Sequence, residues 1–409
     1  MTTSTSILTL EPQKRLQYSE IKLASSKSES NRVLIINALA GGTEANLSNL
    51  SSARDTRTMM RLLSTQETTW DVMDAGTTMR FLTSYAAVKG LNRILTGTAR
   101  MQQRPIGILV DALRSLGAVI EYQKEDGYPP LQVKGMGEQA TKELSVRGDV
   151  SSQYISSLLM IAPTLPKGLR LSLTGHIGSR PYINMTAALM HRFGAEIGWT
   201  DERTITVAPT PYFPTEYTVE SDWSGASYWF SLVALAEQAE LTLLGLRQES
   251  LQGDQAIVTI MEKLGVRSQY TAEGIHLSQG PSEKAIEVDF TDCPDLAQTV
   301  AVACAAKGVR GTFTGLESLR IKETDRILAL QQEMAKFGAR LKEPETGRWE
   351  LIPSGQLPEE ITIHTYEDHR MAMAFAPLAT RMRVHIEDPS VVQKSYPEFW
   401  EHLKQVGIG

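Results

Sequence analysis

At 409 residues the chain exceeds what one hydrophobic core organises, so two or more domains are expected. Hydrophobic residues at 42% and charged residues at 22% are those of a folded globular protein, and a net charge of −6 excludes a general nucleic-acid binder, which needs a basic face. Two cysteines, Cys293 and Cys304, are too few for a disulfide framework or a zinc cluster. No apolar run reaches membrane-span length, and Met1–Leu10 lacks a secretory pattern, so a cytoplasmic protein off the membrane is expected.

In chain order, the first strand is expected near Ile7–Leu10 and is read with the C-terminal half. The polar run Ser25–Arg32 then leads into an apolar helix over Val33–Ala40. Ser and Lys before a helix gather N–H groups, hydroxyls and an ammonium around one point, which suits an anion as well as a plain cap. The flanking glycines of a nucleotide phosphate loop are missing. Thr56–Ser64 reads as a degenerate helical unit. Asp74-Ala75-Gly76-Thr77-Thr78-Met79-Arg80 is a second helix start that either caps or binds an anion. In Arg100–Pro105, Arg104 sits in a loop that suits carboxylate or phosphate contacts, or only solvent.

From here a unit repeats. Runs ending Leu95-Thr96-Gly97, Leu173-Thr174-Gly175, Leu243-Leu244-Gly245 and Phe313-Thr314-Gly315 close strands, each followed by a polar loop and an amphipathic helix ending in Gly. Those helices are Leu109–Gly117, Asn184–Gly194, Ile257–Gly265 and Ile327–Gly338, with a fifth at Phe399–Gly407. Their glycines recur every 70 residues or so and suit the left-handed position that stops a helix. Strands such as Ala118–Tyr122 and Ala339–Lys342 follow. That length fits a βαβαββ subdomain, and six copies predict two α/β globes of three, divided near Glu220–Gly225.

The loops between carry the chemistry. Ser151, Ser152 and Gln153 offer a neutral cradle at a helix start, and Ser179-Arg180-Pro181-Tyr182 opens the next helix with a hydroxyl, a guanidinium and a phenol. Arg320–Arg326 packs three cations and two carboxylates before an apolar helix. Glu367-Asp368-His369-Arg370 puts acids and bases directly before a small-residue helix, and Lys394 occupies the equivalent loop of the last unit. A charged run is usually a solvated face, but both of these abut apolar helices.

Taken in register, these motifs resemble the 5-enolpyruvylshikimate-3-phosphate synthases from Lys27 to Lys394. The resemblance implies a two-globe enolpyruvyl transferase fold, an inside-out α/β barrel of six βαβαββ units hinged around a cleft. Residues 25–220 would form the first globe, and 1–24 with 221–409 the second. It implies transfer of the enolpyruvyl group of phosphoenolpyruvate to shikimate-3-phosphate. Shikimate-3-phosphate would be held by Lys27, Ser28, Arg32, Ser151, Ser152, Gln153, Ser179, Tyr182, Asp295 and Lys322. Phosphoenolpyruvate would be held by Lys27, Gly76, Arg104, Gln153, Arg326, Arg370 and Lys394. Asp295, Glu323 and Lys27 would transfer protons, with His369 in support. No metal or other cofactor is implied, and a monomer is expected. A sister family, the UDP-N-acetylglucosamine enolpyruvyl transferases, uses a reactive Cys in the first globe, where this chain has none. The chain departs from the common pattern at Ala24, Asp74, Phe81, Arg180 and Ser318.

Overall fold

A computed structural model describes residues 6–149, 151–353 and 355–409. The chain divides into two compact units, one of residues 25–219 and one of residues up to 24 with 220–409. The division falls between Val219 and Glu220. Glu220 is buried, and its carboxylate accepts from the Trp223 indole, the Arg247 amide and the Ser250 hydroxyl, all C-terminal to it.

One sheet pattern repeats four times. Two strands pair in parallel, and a third and fourth strand add antiparallel. In the 25–219 unit, Thr69–Asp71 pairs parallel with Arg93–Thr96, which pairs antiparallel with Leu131–Met136, and that with Ala118–Tyr122. Glu143–Arg147, Leu169–Thr174, Thr204–Val207 and Ile197–Trp199 repeat the order. In the other unit the copies are built on Ser19–Lys22 with Glu240–Leu244, and on Ala285–Asp289 with Arg310–Thr314.

Two further copies are incomplete. Glu360–Ile363 and Arg383–Glu387 pair in parallel, and Ile7–Leu10, from the chain's start, joins antiparallel as the third strand. Leu47–Ser48 and Tyr217–Thr218 form only a two-stranded parallel pair. Each unit therefore holds three copies, six in all, of a two-domain α/β fold.

The sequence pattern explains the repeat. The five helix-ending glycines at 117, 194, 265, 338 and 407 have φ between +82° and +111°, where a Cβ would be strained, so each helix stops and the chain turns back into a strand. The helix Arg54–Ser64 has no such glycine and leaves through Thr65 in extended backbone. The helix expected over Val33–Ala40 begins earlier, at Lys27, because Ser26 caps it by accepting from the Glu29 amide. Its nine residues from Glu29 to Asn37 are buried, polar ones included, so it is a central helix of its unit and not an amphipathic surface one. Trp223–Leu235 and Ala297–Lys307 play the same part in the other unit, each buried on nearly every side. No helix among the described residues is long and apolar enough to cross a membrane.

Candidate active site

The sequence-predicted residues fall into a constellation within each unit. In the 25–219 unit, helix starts converge. Lys27 is the first residue of its helix, and its Nζ lies 3.1 Å from Asp55 Oδ2, whose side chain is only 3% exposed. Arg32 follows one turn on and is 2% exposed. Its guanidinium donates to Thr186 Oγ1 at 2.7 Å, Ser156 Oγ at 3.1 Å and the Ser28 carbonyl at 2.9 Å. The Phe81 and Tyr182 rings lie 5.5 and 5.6 Å from its guanidinium carbon. Burial among these neutral groups pulls its pKa down to about 10, so it stays charged at neutral pH. Phe81, one of the departures from the family pattern, thus supplies a π face to a buried cation.

Gly76 opens the helix Gly76–Val88. An added Cβ there would lie 2.5 Å from Arg80 Nη1 and 2.6 Å from Arg104 Nη1, so two guanidiniums flank this helix N-terminus. Arg80 donates to the Gly76 and Pro105 carbonyls, and its side chain packs on the Tyr154 ring. Asp74, the carboxylate where an Asn is usual, meets Arg54 Nη2 at 2.9 Å. That pair offsets the negative charge beside this helix start. Ser151 caps the helix Ser152–Ile161 by accepting from the Gln153 amide, leaving Ser152 and Gln153 half-buried at its first turn. Ser179 adopts φ +54° at the cap of Arg180–Arg192, which carries Tyr182 on its first turn. Arg180 stacks on Trp199 at 4.5 Å and donates to the Glu202 carbonyl, tying this loop to a strand.

In the other unit, acids and bases interlock. Arg326, 2% exposed at its side chain, donates from Nη1 to Asp295 at 3.1 Å, from Nη2 to Glu323 at 2.8 Å and from Nε to Asp368 at 2.7 Å. Arg370 Nη2 lies 3.0 Å from the second Asp295 oxygen and reaches the Ser224 hydroxyl, while its Nη1 donates to the Tyr228 hydroxyl. Lys322 approaches Asp295 at 3.9 Å, and Lys394 approaches Glu323 at 3.8 Å. His369 is buried with Nδ1 3.7 Å from Asp368, which caps the helix His369–Phe375 by accepting from the Arg370 amide. Burial alone would raise the Asp295 pKa, but Arg370, Lys322 and Arg326 together outweigh it and hold the carboxyl well below the usual range. The same carboxylates raise the already high Arg326 pKa against the pull of burial, so the guanidinium is permanently charged.

A match to the family model for EPSP synthase (3-phosphoshikimate 1-carboxyvinyltransferase) covers residues 10–71 and 62–403. This chain belongs to the EPSP synthase family. A 3-phosphoshikimate 1-carboxyvinyltransferase of Bacteroides fragilis is 50% identical over 395 residues, covering 95% of each chain. One of Methanospirillum hungatei is 37% identical, over 93% of this chain and 94% of the other. At the level of fold, an EPSP synthase structure from Acinetobacter baumannii matches 99% of both chains with a TM-score of 0.81 at 19% identity.

The geometry adds residues to which sequence reasoning gives no role. Asp368 and Arg80 stand inside quoted motifs, so a signal existed. Arg54, Asp55, Ser224, Tyr228 and Asp254 stand outside them, and only the folded chain brings them to the motif residues.

Proposed function

We infer that this protein transfers the enolpyruvyl group of phosphoenolpyruvate to the 5-hydroxyl of shikimate-3-phosphate and releases phosphate, serving aromatic amino-acid synthesis. The observation that carries the reading is the pair Asp295 and Glu323, two carboxylates tied to one buried guanidinium, Arg326, with Lys322, Arg370 and Lys394 around them. Both substrates are anions, so cations must offset their repulsion, and each charge-assisted hydrogen bond contributes roughly 1.5–3 kcal/mol. On this reading Lys27, Ser28, Arg32, Ser151, Ser152, Gln153, Ser179, Tyr182, Asp295 and Lys322 take shikimate-3-phosphate. Lys27, Gly76, Arg104, Gln153, Arg326, Arg370 and Lys394 take phosphoenolpyruvate, with His369 bracing Asp368.

The chemistry proceeds by addition and elimination. The acceptor hydroxyl oxygen bonds to C2 of the enol while a proton is added to the methylene carbon, giving a tetrahedral adduct with a methyl group. The C2–O bond to phosphate then breaks, a methyl proton returns to the protein, and the double bond re-forms. The hydroxyl proton leaves with the phosphate. Asp295 is the base for the hydroxyl. While Arg370 and Arg326 hold it, its basicity is low, and an arriving phosphoenolpyruvate that draws those guanidiniums to itself releases it for the step. Glu323 carries the proton to and from the methylene carbon, with the Lys27 ammonium as a second donor. The enzyme acts in the cytoplasm, a reading that its two free, buried thiols support, and as a monomer, which light scattering on the purified protein checks.

A phosphate-release assay tests the assignment. Release is expected with phosphoenolpyruvate plus shikimate-3-phosphate and none with UDP-N-acetylglucosamine as acceptor; silence with both acceptors would overturn the reading. Glu323→Ala and Lys27→Ala are each expected to lower kcat by at least about 10²-fold, and near-normal rates would remove them from proton transfer.

A further inference from the structure

One buried carboxyl beside this cluster has no part in the scheme above. Asp254 lies in the short helical turn Gly253–Ala256 and is 4% exposed. Its Oδ2 accepts from the Ser224 hydroxyl, and the Ser224 oxygen in turn lies 3.4 Å from Arg370 Nη2. Its Oδ1 is buried without a hydrogen-bond partner among the described residues. Arg370 is thus gripped from two sides, by Asp295 directly and by Asp254 through one hydroxyl.

We propose that Asp254 is a positioning residue that governs, through Ser224, the orientation of Arg370 and the net charge the cluster offers to its anionic donor substrate. The proposal rests on the functional reading given above. A hydroxyl has one proton. When Asp254 is ionised, Ser224 gives that proton to the carboxylate and turns its lone pairs to Arg370. When Asp254 is protonated, the acid can donate to Ser224, whose oxygen then serves two donors and holds Arg370 less firmly, freeing the guanidinium for a carboxylate or phosphate of the substrate. Charge runs the same way. Arg326, Arg370, Lys322 and Lys394 face Asp295, Glu323 and Asp368, four cations against three carboxylates, and an ionised Asp254 cancels the remainder. The groups that bear on Asp254 are Asp295, Arg370, Ser224, Asp222 and the Cys293 thiol. Burial first, and then the Asp295 charge, push its pKa up to about 7 against the opposing pull of Arg370 and Ser224. Proton loss from this site therefore falls near neutral pH, and binding of phosphoenolpyruvate favours the protonated form.

The test measures KM for phosphoenolpyruvate and for shikimate-3-phosphate from pH 6 to 8.5 in the full-length enzyme, its Asp254→Asn variant and its Ser224→Ala variant. The ligand phosphate titrates in the same range, so the readout is each variant's departure from the parent profile. In the parent, KM for phosphoenolpyruvate is expected to rise across neutral pH by up to roughly tenfold more than in Asp254→Asn, an amount equivalent to one unit of differential protonation. KM for shikimate-3-phosphate is expected to stay within about twofold in the variant, because the effect acts through Arg370. Ser224→Ala, which removes the link to Arg370 and a hydrogen bond to the ionised acid, is expected to shrink the step and displace it to higher pH. It decides the matter if the Asp254 variant does not fold. Profiles for both variants that overlay the parent would overturn the proposal, as would a loss of thermal stability with no change in pH dependence. A parent enzyme with no phosphate release would sink the functional reading instead, so the two failures are distinct.

Discussion

The two units hold their buried guanidiniums in opposite ways. In residues 25–219, Arg32 and Arg80 are buried among hydroxyls, carbonyls and aromatic faces. In the other unit, Arg326, Arg370, Lys322 and Lys394 each face a carboxylate, and Arg326 faces three. Neutral partners fix a guanidinium while leaving its charge to act on an incoming anion, an arrangement suited to a phosphate that stays intact through the reaction. Carboxylate partners spend that charge internally, yet they keep acids ionised at chosen positions and let the arrival of substrate shift protons. One constellation is built to hold, the other to exchange.

Arg326→Met is expected to break the second arrangement most severely. It leaves Asp295, Glu323 and Asp368 without their shared guanidinium, and such uncompensated buried charges cost about 3–5 kcal/mol. Urea titration should show that loss in unfolding free energy, together with turnover too slow to measure. A variant as stable as the parent would mean that Lys322, Lys394 and Arg370 suffice to balance the acids. Arg32→Met probes the first arrangement and is expected to cost less. It removes three hydrogen bonds to neutral acceptors, and the Thr186 and Ser156 hydroxyls keep the bond between them, so the loss is about 1–3 kcal/mol. The same titration compares the two, and equal losses would erase the distinction between the units.

That distinction explains what could be read in the chain beforehand. The repeat was legible because its punctuation is local. A glycine forced to positive φ at residue 117, 194, 265, 338 or 407 marks a helix end without reference to anything distant. The copy built on Leu47–Ser48 was faint because it lacks that glycine and shrinks to a two-stranded pair. The acid–base cluster was legible in outline, since Glu323 and Arg326 share one motif and Asp368, His369 and Arg370 another, so the spacing already shows interlocking charge. The partners of Arg32 were not. Ser156 and Thr186 stand 124 and 154 residues away, and a hydroxyl in a buried helix leaves no trace in composition or periodicity. Asp254 was hidden for the same reason. It precedes the helix Ile257–Lys263 as an ordinary cap would, and its contact with Ser224 links residues 30 apart.

The smallest change tests the first constellation without touching any charge. Gly76→Ala adds one methyl group at a helix start, where its Cβ would come within 2.6 Å of the ends of both Arg80 and Arg104. Nothing in the backbone requires a glycine by its φ, and alanine favours a helix by up to about 1 kcal/mol, so thermal stability is expected to hold or rise slightly. The Arg104 end can swing away, and Arg80, held by the Gly76 and Pro105 carbonyls, shifts only slightly, a cost that the helix gain offsets. Arg104 would then lie off the line along which the helix N-terminus meets an anion. KM for phosphoenolpyruvate is therefore expected to rise by about tenfold, the equivalent of one displaced charge-assisted contact, while unfolding is unaffected. An unchanged KM would place Arg104 elsewhere during turnover, and the flanking of Gly76 would then matter only to the resting enzyme.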